Sequence, residues 1–291
     1  MTPSKWRRAA ELLAEAEEKN LPLYQVVLHY QVHLSGQDEA SLREKMAERL
    51  EIMRAAAQKG LTGDMRSPSG LIGGGARLVE TAREQGRSLS GGATGRAIAL
   101  ALAVAEVNAC MGRIVAAPTA GSCGILPGVL LALQAEKGWP DEVLVNGLFT
   151  AAGMGIVIGK QASLSGAALG CQAECGVASA MAAAAAVEIA GGRPRQAVDA
   201  AAIALKGWLG LVCDPVGGLV EIPCVKRNAL GAAHALAAAD MALAGLPSYI
   251  PLDEVVAAMV QVGRSLPPSL RETGEGGVAA TPTARTLIKD A

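Results

Sequence analysis

The residues of this chain best equipped for chemistry are cysteines. The run Cys213-Asp-Pro-Val-Gly-Gly-Leu-Val-Glu-Ile-Pro-Cys224 and, upstream, Gly170-Cys171-Gln-Ala-Glu-Cys175 set thiols beside Gly and Pro. Such neighbours let the backbone turn sharply or approach a ligand closely, and a cysteine used only for packing has no need of them. Thiolates gathered from distant stretches point to a soft metal centre, zinc or iron–sulfur. Three committed thiolates, rather than four, would leave one metal position open for chemistry. Spacing alone does not select the ligands. Cys171 and Cys175 share a face if a helix begins there, and Cys213 and Cys224 bracket a turn. The pattern is neither that of a ferredoxin nor the paired CxxC of a zinc ribbon.

The remaining polar residues divide by context. Cys110 lies in an Ala/Val helix and reads as a small core hydrophobe. Cys123, in Pro118-Thr-Ala-Gly-Ser-Cys-Gly-Ile-Leu-Pro127, precedes a predicted helix start whose N–H groups could hold a carboxylate. A structural or substrate-loop role is expected for it ahead of metal ligation. Ser67, Ser69, Thr119, Ser122, Ser163 and Ser165 flank glycines or Pro, and fit either substrate contacts or turn chemistry. Lys160 and Lys226-Arg227 could meet a carboxylate or merely end helices in solvent. Asp214 either orients a neighbour of Cys213 or forms an Asx-turn before Pro215. His29 and His33, four apart on a charged helix, are expected in solvent or packing roles. His234, in an apolar stretch, is expected to be a satisfied core histidine.

The elements that must position these groups are helices. The chain has 291 residues, a net charge of −1 and only 2% aromatics. It carries no basic footprint for nucleic acid and no aromatic platform for single strands. A core poor in large side chains must bring helices close on Ala and Gly. Charge-laced helices are predicted over 5–18, 23–34 and 40–58, and small-residue helices over 94–112, 124–137, 141–157, 174–190, 195–210, 228–244 and 252–264. Residues 60–92 read as a long glycine-rich loop region, 220–222 as a short extended piece, and 265–291 as a polar tail or arm. The fold class is therefore all-α, a compact bundle with its chemistry in glycine-rich connections. One domain is expected, with charged N-terminal helices over 1–59, a helical core over 60–264 and the arm over 265–291. Residues 143–159 form an uncharged run near the lower limit for a membrane span, read here as a buried helix because glycines interrupt it and no aromatic belt flanks it. With no apolar leader visible and free thiols in use, a cytoplasmic location is expected.

Three stretches together carry a resemblance. Ala117-Pro-Thr-Ala-Gly-Ser-Cys-Gly-Ile-Leu-Pro-Gly128, Ser163-Leu-Ser-Gly-Ala-Ala-Leu-Gly-Cys-Gln-Ala-Glu-Cys-Gly-Val-Ala178 and Cys213 through Asn228 closely resemble the alpha subunit of the iron–sulfur-dependent L-serine dehydratase family. Residues 67–74 and 272–283 are similar to it as well, so the likeness spans nearly the whole chain. The resemblance implies a lyase of amino-acid catabolism and gluconeogenesis that converts L-serine to pyruvate and ammonia. It implies a [4Fe–4S] cluster on Cys171, Cys213 and Cys224, with Cys175 as a neighbour at a position where relatives can carry an apolar residue. An iron without a protein thiolate would act as Lewis acid on the serine hydroxyl, and a general base would take the Cα proton. In the family that base is a histidine of a Ser-Ser-Ser-His-Thr motif in the beta portion. The motif is absent here, so a separate beta subunit and a hetero-oligomer are expected, with no nucleic acid and no membrane as partner.

Rival readings make different demands. A related cluster-dependent lyase such as a cysteine desulfidase shares the same iron logic. A pyridoxal phosphate lyase would cup phosphate on Gly73-Gly-Gly75 or Ser90-Gly-Gly-Ala-Thr-Gly95 and use Lys160 for its Schiff base, but needs an α/β core that is missing. A zinc-stabilised subunit would close the same thiols with Cys175 as fourth ligand.

Overall fold

Small side chains decide how the helices of this protein meet. The computed structural model describes residues 6–289, and among them are thirteen α-helices and no strand. The first three are α1 (Ala9–Lys19), α2 (Leu23–Ser35) and α3 (Glu39–Thr62), followed by α4 (Gly75–Glu84), α5 (Gly92–Ala109) and α6 (Ile125–Lys137). Next come α7 (Asp141–Gly159), the single turn α8 (Gly166–Leu169), α9 (Cys175–Ile189) and α10 (Pro194–Lys206). The chain ends with α11 (Cys224–Leu243), α12 (Leu252–Ser265) and α13 (Pro282–Lys289). The all-α reading holds.

Helix α9 is the axis of the bundle. Every residue from Cys175 to Val187 is buried, and α6, α7, α10 and α11 pack around it. Ala182 through Ala186 leave so little side chain that four neighbours can approach at once, each gaining dispersion contacts that larger residues would hold apart. A second close approach joins α3 to α5, where a Cβ on Gly60 would stand 2.2 Å from the Ala103 carbonyl oxygen. Helix α7, long and apolar enough to cross a membrane by length and composition, instead buries Leu144, Leu148, Met154 and Ile158 against α2, α3 and α9. The 143–159 run is thus a core helix, as read from its glycines.

Several helices borrow their N-terminal caps. Asp253 of α12 accepts from Ala9 and Ala10 N–H at 2.7 and 3.0 Å. Glu188 of α9 accepts from Leu23 and Tyr24 N–H, and Glu106 of α5 accepts from Gly75 and Ala76 N–H. Each carboxylate satisfies orphan donors and meets the positive end of a helix dipole. Because the partner lies on another helix, each cap also fixes the position of one helix on its neighbour.

Two expectations need correction. Residues 60–92 are not one long loop: Ala76, Arg77, Leu78, Val79 and Glu80 are adequate helix formers, and the glycine run before them lets Glu106 cap α4. Residues 220–222 are not extended; a 3-10 turn over Val216–Gly218 runs through bends into α11, which begins at Cys224. Residues 265–289, expected as a tail or an arm, take the form of an arm. Cys213 N–H donates to Leu270 O at 2.9 Å and Glu272 N–H to Cys213 O at 2.7 Å, an isolated parallel bridge that lays the arm along the first cysteine of the 213–224 loop.

Candidate metal centre and active site

The thiols are delivered by two helix starts and one clamped loop. Cys171 sits in a 3-10 turn (Cys171–Ala173) and Cys175 opens α9, so their sulfurs lie 3.4 Å apart. The turn is anchored by Gln172, fully buried, whose Nε2 donates to Leu169 O and Met259 O while its Oε1 accepts from Gly210 N–H. Cys224 opens α11. Cys213 lies on the bridged segment, its thiol directed to Glu174 Oε2 at 3.9 Å. All four are buried and none is in a disulfide.

Electrostatics shift the thiols in opposite directions. Hydrogen bonds from Cys175 and Cys213, aided by the Arg227 charge, hold Cys171 well below the usual thiol range. Burial, with the charge on Cys171, pushes Cys224 up to about 12. A bound soft cation would reverse that order, since a coordinated thiol loses its proton outright. The donor set fits such an ion or cluster: soft ligands, two of them at helix starts that favour anions, and no competing disulfide.

Two polar side chains tie the segments together. Asn228 of α11 accepts from Gly124 N–H at 2.8 Å and donates to Gly121 O at 2.8 Å and Cys224 O at 3.0 Å, holding the 117–124 loop against the cysteine helix. Arg227 donates to Val212 O at 3.0 Å and to Asp214 Oδ1 at 2.8 Å, and Asp214 Oδ2 accepts from Val278 N–H at 2.7 Å. Asp214 therefore orients the arm and Arg227 rather than forming a local Asx-turn. Gly166 shows how tightly the walls close: a Cβ there would meet Glu174 Oε2 at 2.6 Å and Cys213 Sγ at 2.8 Å.

The other predicted residues scatter. Thr119 reaches the centre, its hydroxyl helping to hold down the Glu174 carboxyl and lying 3.2 Å from the buried Ser122 hydroxyl. Ser67 and Ser69 both donate to Glu221, from Ser67 at 2.8 Å, at the edge of a cleft of about 250 Å³ lined by Pro68, Leu71, Val216 and Leu219. Ser163 and Ser165 are exposed, with the Ser163 hydroxyl accepting from Ser165 N–H at 3.2 Å. Cys123 is wholly buried in the core, where burial pushes its thiol up to about 12. Cys110 caps α5, half-buried, rather than lying within it. Lys160 donates to Trp6 O at 2.6 Å, remote from the thiols. His29 and His33 are exposed on α2, and His234 is used up by Ala204 O at 2.8 Å and an edge contact with Trp208.

Sequence reasoning missed Glu174. Its signal was available as an acidic residue between Cys171 and Cys175 in an otherwise apolar run. Burial, then the charge on Cys171, lifts its carboxyl to about 7.

The class is a helical bundle with four free, buried thiols, of which Cys213 faces the Glu174 carboxyl. Comparison with known proteins gives the family. The serine dehydratase alpha chain family matches residues 18–279. The probable L-serine dehydratase alpha chain of Bacillus subtilis is 50% identical over 98% of this chain and 94% of its own length. The L-serine dehydratase alpha chain of Peptoniphilus asaccharolyticus is 44% identical over 97% of each. The L-serine dehydratase of Streptomyces coelicolor is 38% identical over 94% of this chain but only 60% of its own length. This chain belongs to the serine dehydratase alpha chain family, and it is a lyase subunit.

Proposed function

We propose that this chain is the cluster-bearing subunit of an L-serine dehydratase that forms pyruvate and ammonia together with a separate beta chain. What supports the reading is that Cys171, Cys213 and Cys224 are free and buried, with Cys171 held below the usual thiol range by Cys175 and Cys213 and its charge felt at Cys224. These three would hold a [4Fe–4S] cluster, with Cys175 beside Cys171. When bound, the cluster supplies a Lewis-acidic iron that eases departure of the serine hydroxyl. The chain's own groups do the rest of the positioning. Asn228 and Gln172 fix the loops that carry the thiols, Thr119 and Glu174 present polar atoms beside them, and the buried walls limit competing water. The Cα proton is assigned to a base outside this chain, since His29 and His33 face solvent and His234 is only partly buried, with its Nε2 bonded to Ala204 O. Relatives support a second chain: two carry the designation alpha chain, and about two-fifths of the Streptomyces enzyme has no counterpart here.

The test is anaerobic reconstitution with iron and sulfide, followed by absorption spectra, iron and acid-labile sulfide analysis, and pyruvate assay with and without the beta chain. Serine replacement of Cys171, Cys213 or Cys224 is expected to abolish cluster and turnover together. Zinc without sulfide, or a full cluster in any of those variants, overturns the reading. Full turnover by this chain alone would place the base in it and make His234 the first residue to replace.

A further inference from the structure

Glu221 is held by two hydroxyls and met by no cation. The residue is only 5% exposed, and Ser67 and Ser69 both donate to its Oε2, from Ser67 at 2.8 Å. Each hydroxyl is aligned from behind: Ser67 Oγ accepts from Ile72 N–H and Ser69 Oγ from Leu71 N–H, both at 3.2 Å. Their own hydrogens are thereby left for the carboxylate. The other oxygen, Oε1, makes no hydrogen bond to a described residue and is not sealed from solvent. Among the described residues no Lys, Arg or His forms an ion pair with Glu221. The carboxyl lines a cleft of about 250 Å³ where the 67–72 loop, the 216–222 turn and α13 meet. Apart from Glu221 and Ser69 the walls are apolar, with Pro68, Leu71, Val216, Leu219 and Leu287 among them, and none of the lining residues is basic.

We propose that this cleft is a binding site for a small primary aliphatic ammonium, Glu221 taking the charged head and the apolar walls taking the stem. An ammonium brings a full positive charge and three N–H donors, and a carboxylate oxygen with free lone pairs is their natural acceptor. The stem gains by leaving water for Leu71, Val216 and Leu219. A ligand that also carries a carboxylate finds no basic partner in these walls and would lose its hydration uncompensated. The site therefore refuses zwitterionic amino acids, serine among them, and is distinct in chemistry from one that accepts the substrate. Ser67 and Ser69 are positioning residues: by occupying Oε2 they turn Oε1 to the ligand. No thiol takes part and no bond forms or breaks, so the inference stands apart from the serine dehydratase reading.

The experiment is calorimetry on the full chain near neutral pH, where an alkylamine is almost wholly protonated. Three probes separate the parts of the ligand: n-butylamine, 1-butanol with the stem but no charge, and ammonium chloride with the charge but no stem. The wild type is expected to bind n-butylamine at one site, and each of the others at least about tenfold more weakly, the scale of one charge-assisted hydrogen bond or of a few buried methylenes. Glu221→Gln should lose the preference for n-butylamine over 1-butanol. Leu219→Trp, at the exposed rim, should fill the cleft and weaken n-butylamine at least about tenfold with the carboxylate untouched, which decides the matter if Glu221→Gln fails to fold. Excess L-serine should leave n-butylamine binding unchanged. The assignment is overturned if the wild type does not bind n-butylamine, binds 1-butanol or ammonium as tightly, or releases the amine to L-serine. It is overturned equally by a folded Glu221→Gln or Leu219→Trp protein that binds n-butylamine as the wild type does.

Discussion

At the scale of single residues, the centre depends on side chains that never touch a ligand. Asp214 is 2% exposed and its partner Arg227 12%, so removing one charge strands the other away from water. Asp214→Ala is expected to lower unfolding free energy by about 3 kcal/mol, measured by urea denaturation. The double change with Arg227→Met should recover part of that loss, because it removes the stranded charge as well. The cysteines were legible from their Gly and Pro neighbours, yet Glu174 was not. Spacing marks where a chain bends, whereas the value of a carboxylate depends on which distant thiol it faces. Lys160 failed for the converse reason: a helix-end lysine looks available until the fold brings Trp6 O to it.

At the scale of elements, helix contacts are set by what is absent from them. Gly60→Ala would force a methyl into the Ala103 carbonyl of α5, backbone that cannot swing aside. A loss of about 3 kcal/mol is expected, read by the same denaturation. The borrowed caps carry a pH signature. Burial lifts the Glu188 carboxyl to about 7 against the usual 4.5, despite the two N–H groups it accepts from. Between those values the folded state holds a proton that the unfolded chain has released, so this group's contribution is full below about 4.5 and is lost as pH rises through 7. Glu188→Gln should therefore flatten the fall in stability over that interval, measured as unfolding free energy against pH. A slope unchanged by the substitution would count against this titration. The helices of the core were readable from their small-residue runs. Helix α4 and the arm were not, because their stability comes from Glu106, Asp214 and the Cys213 backbone, which are remote in sequence.

At the scale of the whole molecule, the thiols and Glu174 belong to this chain, and among the described residues no histidine is bonded to them. A centre with one iron lacking a protein thiolate should lose that iron first. Exposure of the assembled enzyme to air is expected to abolish serine deamination, and ferrous iron with a reductant to restore it. Activity that survives both air and an iron chelator would contradict the cluster reading. The expectation of a second chain came from the resemblance, through a histidine motif missing here, and the alpha chain names of relatives are consistent with it.

The bridge between Cys213 and the segment 270–272 also fixes an order of events. The cysteine helices α9 and α11 and nearly all of their packing partners leave the ribosome before Leu270 and Glu272 do, so the 213–224 loop is exposed while its clamp is still unmade. Its backbone donor and acceptor at Cys213, and the free oxygen of Asp214, are satisfied only when the arm folds back. A chain truncated before the arm would leave the Cys213 backbone groups and one Asp214 oxygen without these partners.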